Sequence, residues 1–404
     1  MNTISAVLCR VYHTGLKLTT CVVPFPRPAL YQGAHALDSL ASDIKQKNLH
    51  TLLVVTDPNI LNLGLHEHLL YLLETRGISP VVFSNIQANT YITDIEQGVS
   101  QYHKTGCQGL ICLGGGSVMD CGKLIAARIA RPHKTIPQLK GLFKVLRKLP
   151  PLYAIPTTSG TGSETTIAAV VFDPANKEKY AIADTNLIPR AAVLIPELTY
   201  GLPPQITAQT GMDALTHAIE AFLGVIGTGF TNQKAMDASR LIFNNLLGAY
   251  QQGDNKQCRH NMLLAAFYAG EAFTRANVGY VHALAHSIGG YYGTAHGLAN
   301  AVILPKALRW YGPAIERKLA KLAVYCQIGN NQTTPANKAI AFIEAIELLN
   351  QQLAIPTGFR ELREKDIPFL AKKALKEAHP DYPVPKFMGV NDCEQLLASL
   401  LQKD

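Results

Sequence analysis

Short runs of apolar, β-branched residues alternate with longer stretches of helical periodicity in the first half of the chain. The short runs predict strands over residues 52–57, 80–85, 109–114, 151–156, 168–173 and 191–196. Helical patterns over residues 60–77, 93–106 and 117–130 lie between the first of these strands. Such alternation predicts a mostly parallel sheet covered by helices, with ligands bound at the carboxyl ends of the strands.

The pattern changes near the pair Pro203 and Pro204, after which one helical segment follows another with few β-branched runs. We therefore predict an α/β nucleotide-binding domain over residues 31–203 and an all-helical domain over residues 204–404. Residues 1–30 form an N-terminal extension in this division, and no function is assigned to it.

The composition is that of an ordinary globular enzyme. The 404 residues favour two domains, and 48% of them are hydrophobic while 16% are charged. No apolar run reaches the roughly 18 residues that span a bilayer, and the N-terminus lacks the features of a secretory signal. Eight scattered cysteines without CxxC pairs suit a reducing compartment, so we expect a cytoplasmic protein.

Much of the formal net charge of +8 comes from residues 131–149. Leu139, Leu142, Phe143 and Leu146 have the spacing of one apolar stripe, which predicts a basic amphipathic helix. That helix would either bind an anionic surface or lie solvated at the rim of the first domain. No basic motif with interleaved aromatic residues is present, so nucleic acid is not expected as a partner.

Two glycine- and hydroxyl-rich segments follow predicted strands. Three glycines at 114–116, followed by Ser117, open a helix whose free N–H groups suit a pyrophosphate. Ser117 and Asp120 have the spacing of a capping box, which favours a capping role for Asp120. The second segment, residues 156–164, offers the hydroxyls of Thr157, Thr158 and Thr161 among others. Each segment alone also fits a tight turn, but the pair favours a nucleotide site.

Asp57 ends the first strong strand, just before Pro58. A carboxylate there can accept hydrogen bonds from an adenosine ribose and repel a 2′-phosphate, which favours NAD over NADP. An aspartate that begins a turn is an equally good interpretation.

Four histidines and one aspartate suggest a metal site in the second half. Asp213 and His217 are one helical turn apart, and His282, His286 and His296 lie within a 15-residue segment. One carboxylate with imidazoles suits a borderline divalent ion such as Fe²⁺ or Zn²⁺ better than Mg²⁺ or Ca²⁺. The spacing leaves open which three histidines bind, and a histidine-rich core helix is the alternative.

The motifs GGGSVMD, PTTSGTGSE, GMDALTHAIEAF and NVGYVHALAHSIGGYYGTAHG, in this order, resemble those of the iron-containing (group III) alcohol dehydrogenase family. The resemblance implies a dinucleotide-binding, dehydroquinate-synthase-like α/β domain and an all-helical metal-binding domain. It further implies metal ligands at Asp213, His217, His282 and His296, with His286 lining the substrate pocket. The cofactor contacts that it implies are Asp57, Gly115, Gly116, Ser117, Thr157, Thr158, Thr161 and Lys179.

These features together predict a metal-dependent, NAD(P)-linked alcohol dehydrogenase or aldehyde reductase that acts on a small alcohol. We expect NAD rather than NADP, Fe²⁺ rather than Zn²⁺, and a homodimer, the commonest oligomeric state. One rival is a dehydroquinate-synthase-like lyase, which also pairs NAD with a metal but needs basic residues for a phosphorylated substrate. A non-catalytic metal-binding or membrane-associated protein is the other, and it leaves both glycine-rich loops unexplained.

Overall fold

The computed structural model describes residues 3–87, 90–174 and 178–402, which form two compact units. The α/β unit is Phe25–Gly201. The helical unit consists of the residues from Leu202 onward together with the N-terminal segment up to Pro24. That segment forms helix α1 (Thr3–Val22), so it is grouped with the helical unit and not with the α/β unit that follows it in sequence.

The main sheet of the α/β unit has six parallel strands in the spatial order β1-β9-β6-β4-β2-β3. Its strands are β1 (Ala29–Gln32), β2 (Thr51–Val55), β3 (Ser79–Phe83), β4 (Gly109–Gly114), β6 (Leu152–Pro156) and β9 (Ala191–Leu194). A smaller sheet, in the order β5-β8-β7, contains β5 (Gly141–Leu142), β7 (Ala168–Asp173) and β8 (Glu178–Ala183). In it β7 and β8 pair antiparallel.

Successive residues of the central strands lie alternately in two separate hydrophobic cores. Leu53 and Leu110 belong to one core, whereas Leu52 and Ile111 belong to the other. Side chains alternate across a strand, so a sheet covered on both faces needs apolar residues at every position, as in LLVV and GLICL. The covering helices are α2 (Ala36–Gln46), α3 (Pro58–Asn62), α4 (Glu67–Thr75), α5 (Ile92–Lys104), α6 (Gly116–Ala130) and α7 (Ile136–Leu139).

Among the described residues of the helical unit, nine helices follow α1. They are α8 (Pro204–Leu223), α9 (Gly229–Gln251), α10 (Lys256–Ala276), α11 (Tyr280–Tyr292), α12 (His296–Tyr311), α13 (Glu316–Tyr325), α14 (Pro335–Gln352), α15 (Ile367–Ala378) and α16 (Val390–Ala398). One hydrophobic core runs through them. The predicted fold class, an α/β domain with a mostly parallel sheet followed by a helical domain, is therefore confirmed. Among the described residues, no helix is both long and apolar enough to cross a membrane.

The prediction of a basic helix over residues 131–149 is wrong. Only the four residues of α7 are helical, and the backbone of Phe143 and Leu146 has positive φ angles of 52° and 46°. Since an α-helix needs negative φ at every residue, the leucines cannot form a stripe. Val145 is buried and its carbonyl accepts a hydrogen bond from the guanidinium of Arg131, so this basic segment is a loop folded onto the unit.

Two further details differ from the expectation. Strands β1, β5 and β8 were not expected, because each is short or lacks a continuous apolar run. The expected strand at 168–173 exists but lies in the smaller sheet. Pairing partners of this kind are set by long-range contacts, which local periodicity does not report.

Candidate metal and nucleotide sites

Helix α8 supplies the first two residues of the metal cluster. Asp213 and His217 project from the same face because they are one turn apart, and both are buried. The Oδ1 atom of Asp213 lies 4.0 Å from Nδ1 of His217. The ring of His217 stacks on Phe273, with 4.1 Å between the centroids, which fixes its orientation.

Helices α11 and α12 supply the other two. His282 lies in the first turn of α11 and His296 is the first residue of α12. Their Nε2 atoms lie 3.8 Å and 3.3 Å from Oδ1 of Asp213. One ligand atom from each of Asp213, His217, His282 and His296 falls within 4.8 Å of the others, so this cluster could hold a metal ion.

The electrostatics of the cluster favour an ionised Asp213 and a neutral His282. Burial alone would raise the pKa of Asp213, but His217, His296 and His282 outweigh it and lower that pKa below its usual range. Burial lowers the pKa of His282 well below its usual value, and His217 and His296 lower it further. Neutral imidazole and carboxylate are the forms that bind metal.

Glu220, which the sequence reasoning missed, fastens the start of α11. Its carboxylate accepts hydrogen bonds from the backbone N–H groups of Gly279 (2.8 Å) and Val281 (2.7 Å). The same carboxylate lies 2.6 Å from Nδ1 of His282. With the proton on Nδ1, Nε2 of His282 presents a lone pair toward the cluster. Burial raises the pKa of Glu220, whereas hydrogen bonds from the backbone N–H groups of Gly279, Val281 and His282 oppose that rise and favour the carboxylate.

Asn300, one turn into α12, was missed as well. Its Nδ2 donates to Oδ1 of Asp213 at 2.7 Å and lies 3.1 Å from Nε2 of His296. Its Oδ1 is buried and has no hydrogen-bond partner in the described part of the chain. In the sequence, Asn300 follows Gly297 by three residues and His296 by four. An asparagine in an apolar helix, however, does not by itself indicate a metal site.

His286 lies beside the cluster with its own orienting partner. Its ring stacks on that of His296 at 5.0 Å, and 43% of its side chain is exposed. Its Nδ1 is 2.6 Å from Oε1 of Glu377, which also accepts a hydrogen bond from the hydroxyl of Tyr382 (2.7 Å). Glu377 lies 91 residues away in sequence, so only the fold pairs it with His286.

The two glycine- and hydroxyl-rich loops meet in the α/β unit because their strands are neighbours. Gly114 at the end of β4 is in register with Pro156 at the end of β6. A Cβ atom on Gly116 would lie 2.8 Å from Cγ2 of Thr161, and one on Gly115 would lie 3.4 Å from Cγ2 of Thr158. The structure thus brings Gly115, Gly116 and Ser117 together with Thr157, Thr158 and Thr161.

The prediction that Asp120 caps α6 is wrong. Gly115 is the N-cap residue, without a side-chain hydrogen bond. The carboxylate of Asp120 instead accepts hydrogen bonds from the hydroxyl of Ser163 and the N–H of Val170, both at 3.0 Å. One turn on, the ammonium of Lys123 is fully buried and donates to the carbonyls of Thr166 and Ala168. Helix α6 therefore holds the second loop and the strand that follows it.

Asp57 and Lys179 occupy other positions in the α/β unit. Oδ1 of Asp57 accepts hydrogen bonds from the N–H groups of Asn59 (2.8 Å) and Ile60 (3.2 Å), so Asp57 caps α3. This is the turn-forming interpretation, and it leaves the second carboxylate oxygen for a further role. Lys179 lies on β8, where it pairs with Phe172 of β7, and its side chain is exposed.

The donor set itself tests whether a metal fits. With the His282 proton on Nδ1, Nε2 of His282 and Oδ1 of Asp213 are two electron-pair donors that face each other at 3.8 Å. The Nδ2 group of Asn300 lies 2.7 Å from this Oδ1 and 3.3 Å from this Nε2, so it relieves part of their repulsion. Three imidazoles with one carboxylate form a donor set that suits a borderline divalent ion. The parallel sheet with paired glycine-rich strand ends and this metal cluster define a nucleotide- and metal-dependent enzyme.

Comparisons with known proteins agree with that class. The iron-containing alcohol dehydrogenase model matches residues 27–196, and the Fe-containing alcohol dehydrogenase family C-terminal model matches residues 207–401. "Alcohol dehydrogenase 4" of Saccharomyces cerevisiae (strain YJM789) is 36% identical over 88% of this chain and 93% of its own length. "NAD-dependent methanol dehydrogenase" of Bacillus methanolicus is 32% identical over 93% and 99%, respectively. The crystal structure of 1,3-propanediol oxidoreductase superimposes with a TM-score of 0.88 at 32% identity, covering 94% and 100%.

The chain belongs to the iron-containing alcohol dehydrogenase family. Its predicted class, an NAD-linked, metal-dependent alcohol dehydrogenase or aldehyde reductase, is confirmed. The family implies a nicotinamide cofactor and a divalent metal.

Proposed function

We propose that this chain interconverts a small primary alcohol or diol and its aldehyde with NAD, and that Asp213, His217, His282 and His296 hold Fe²⁺. The convergence of these four side chains within 4.8 Å supports the assignment. Iron is the metal that the family description names. Zn²⁺ suits the same donors, and metal analysis of protein purified without oxygen distinguishes the two ions.

The four residues of this cluster would hold a divalent ion, which would supply Lewis-acid activation of the substrate oxygen. The protein's part is to fix the donors before the substrate arrives. Glu220 holds the start of α11 and keeps the Nε2 lone pair of His282 toward the cluster. Asn300 holds the carboxylate of Asp213. These neighbours keep the donor geometry constant, as orienting partners do in metal sites.

His286 moves the hydroxyl proton in this proposal. Its ring lies against His296, partly exposed, so it connects the cluster to solvent. Glu377 accepts a hydrogen bond from the Nδ1–H group of His286. This leaves Nε2 of His286 free to take up a proton during alcohol oxidation. Tyr382 orients Glu377 in turn. During aldehyde reduction the same atoms return the proton.

The nucleotide loops hold the cofactor in this proposal. The N–H groups of Gly116 and Ser117 at the start of α6 suit the pyrophosphate, and Thr157, Thr158 and Thr161 supply hydroxyl donors. Lys179 adds a positive charge from β8. Asp57 accepts hydrogen bonds from the adenosine ribose, which favours NAD over NADP.

Asp57→Asn is expected to weaken the preference for NAD without loosening α3. Asparagine can still accept the hydrogen bonds from Asn59 and Ile60, but it no longer repels a 2′-phosphate. The ratio of kcat/KM with NADP to kcat/KM with NAD should rise about tenfold, which corresponds to about 1.4 kcal/mol. Asp57→Ala is the control, since it removes both the charge and the cap. An unchanged ratio in both variants would exclude a ribose contact for Asp57.

The function is tested by measuring NADH formation with a panel of short alcohols and diols. Protein stripped of metal is assayed with and without added Fe²⁺, in the absence of oxygen. We expect NADH formation only with metal, and the panel ranks the substrates. If no alcohol of the panel yields NADH although binding of NAD and metal is demonstrated, the proposal is contradicted and the lyase interpretation is favoured.

We further propose that the protein is a cytoplasmic homodimer. Closed two-fold dimers are the commonest oligomers. The seven cysteines whose side chains are described are free thiols, which suits a reducing compartment. Light scattering on the purified protein and cell fractionation test the two statements separately.

A further inference from the structure

One face of helix α1 is fixed on its own unit. Arg10 donates hydrogen bonds to the carbonyls of Val384 (2.6 Å) and Pro385 (2.8 Å), and its guanidinium lies over the ring of Phe387. His13 is buried and its Nε2 lies 2.7 Å from the carbonyl oxygen of Pro380. These contacts determine which side of α1 faces outward.

The outward side is an apolar seam. It consists of Ile4, Leu8, Val11, Gly15, Leu18 and Val22, which we call the α1 seam. Its five side chains are between 63% and 82% exposed, and a Cβ atom on Gly15 would meet nothing within 4 Å. The successive spacings are four, three, four, three and four residues. This is the strict seven-residue repeat by which one helix packs along another.

The residues that flank the seam indicate what occupies it. In the seven-residue repeat these positions are Ser5, Val7, Tyr12, Thr14, Thr19 and Cys21, and all are uncharged residue types. Like charges at such positions would repel an identical helix, and none is present. A helix that binds an anionic membrane carries basic residues beside its apolar face. Helix α1 contains Arg10 and Lys17 as its Arg and Lys residues. Arg10 is already engaged with the chain's own carbonyls, which leaves Lys17 as a single exposed basic residue.

We propose that α1 helices from two copies of this chain pair through the α1 seam. Each helix is already formed and held by its other face, so pairing does not have to fold it. Gly15 lets the two backbones approach closely at the middle of the seam. The seam lies before residue 27, where the match to the family model begins, so this contact lies outside the matched region. It deepens the proposed homodimer by naming one surface that joins two copies.

Val11→Glu tests the pairing in the full-length, metal-loaded protein. Two glutamates buried in the seam would repel each other, and glutamate keeps the helix stable. We expect light scattering to give the variant half the mass of the parent protein at micromolar concentration, with turnover per chain unchanged. Leu18→Lys should do the same from another turn of the helix. Val324→Glu, an exposed valine on α13, is the matched control and should leave the mass unchanged.

The outcomes separate this proposal from the homodimer itself. A parent protein that is a dimer, with Val11→Glu and Leu18→Lys also dimers, overturns the seam but keeps the homodimer. A monomeric parent protein overturns both. Sedimentation with phosphatidylglycerol-containing vesicles is the remaining test. Binding by the parent protein that is lost in Val11→Glu, with no change in mass, would identify a lipid surface as the occupant and overturn the pairing.

Discussion

Replacing His282 with alanine is expected to abolish metal binding and to lower turnover by about a thousandfold, while NAD binding persists. The variant removes one of four donors and leaves the carboxylate of Glu220 without its imidazole partner. Loss of Lewis-acid assistance worth several kcal/mol accounts for a rate effect of that size. Metal content by elemental analysis and NAD binding by fluorescence titration are the measurements.

His286→Ala is the matched control because it lies one turn further along the same helix. It should keep the metal and lose turnover, since His286 is proposed to move a proton and not to bind the ion. Asp213→Asn alters a second proposed ligand while nearly preserving the side-chain shape. Loss of metal in this variant as well would show that a folding defect does not explain the result for His282→Ala. Full metal content in His282→Ala, together with an unchanged unfolding curve, would contradict the assignment of His282 as a metal ligand.

Glu220→Gln is expected to weaken metal affinity by about 10- to 100-fold and to destabilise the protein by about 3 kcal/mol. The new amide group would set donors against the N–H groups of Gly279 and Val281 or against Nδ1 of His282. The variant would then lack the carboxylate that holds the start of α11 and keeps the His282 proton on Nδ1. Competition with a chelator measures the affinity, and chemical denaturation of metal-free protein measures the stability.

Glu347→Gln provides the comparison for that variant. Glu347 forms an exposed ion pair with Arg309 at 2.7 Å, and such pairs contribute at most about 1 kcal/mol. It should change neither metal affinity nor stability appreciably. If Glu220→Gln bound metal as tightly as the parent protein, the idea that Glu220 positions His282 would be wrong.

Local pattern was enough to predict the parts of the fold in which neighbours in sequence act together. The central residues of the runs that became β2, β4 and β6 are apolar and buried because both faces of the sheet are covered. The pair Asp213 and His217 was visible because a helix puts residues four apart on one face. The cluster of histidines in the second segment was enough to predict that it completes the metal site. Spacing alone left open which three of the four histidines bind, and only the family resemblance made that choice.

The partners of these residues could not be predicted because they are distant in sequence. Glu220 is 62 residues from His282, and Glu377 is 91 residues from His286. The prediction of a basic helix over residues 131–149 was wrong for a different reason. The leucine spacing of this segment is helical, but positive φ angles at Phe143 and Leu146, tied to contacts with residues elsewhere in the unit, overrule that spacing.

The fastening of the second loop to α6 has a consequence for cofactor binding. Asp120 and Lys123 hold Ser163, Thr166, Ala168 and Val170 by hydrogen bonds from within the protein. A loop that is already confined loses little conformational entropy when a ligand arrives, so more of each new contact appears as affinity. In the proposed cofactor site, Asp120 and Lys123 would thereby influence how strongly the dinucleotide binds without contacting it, because α6 holds the second loop in place.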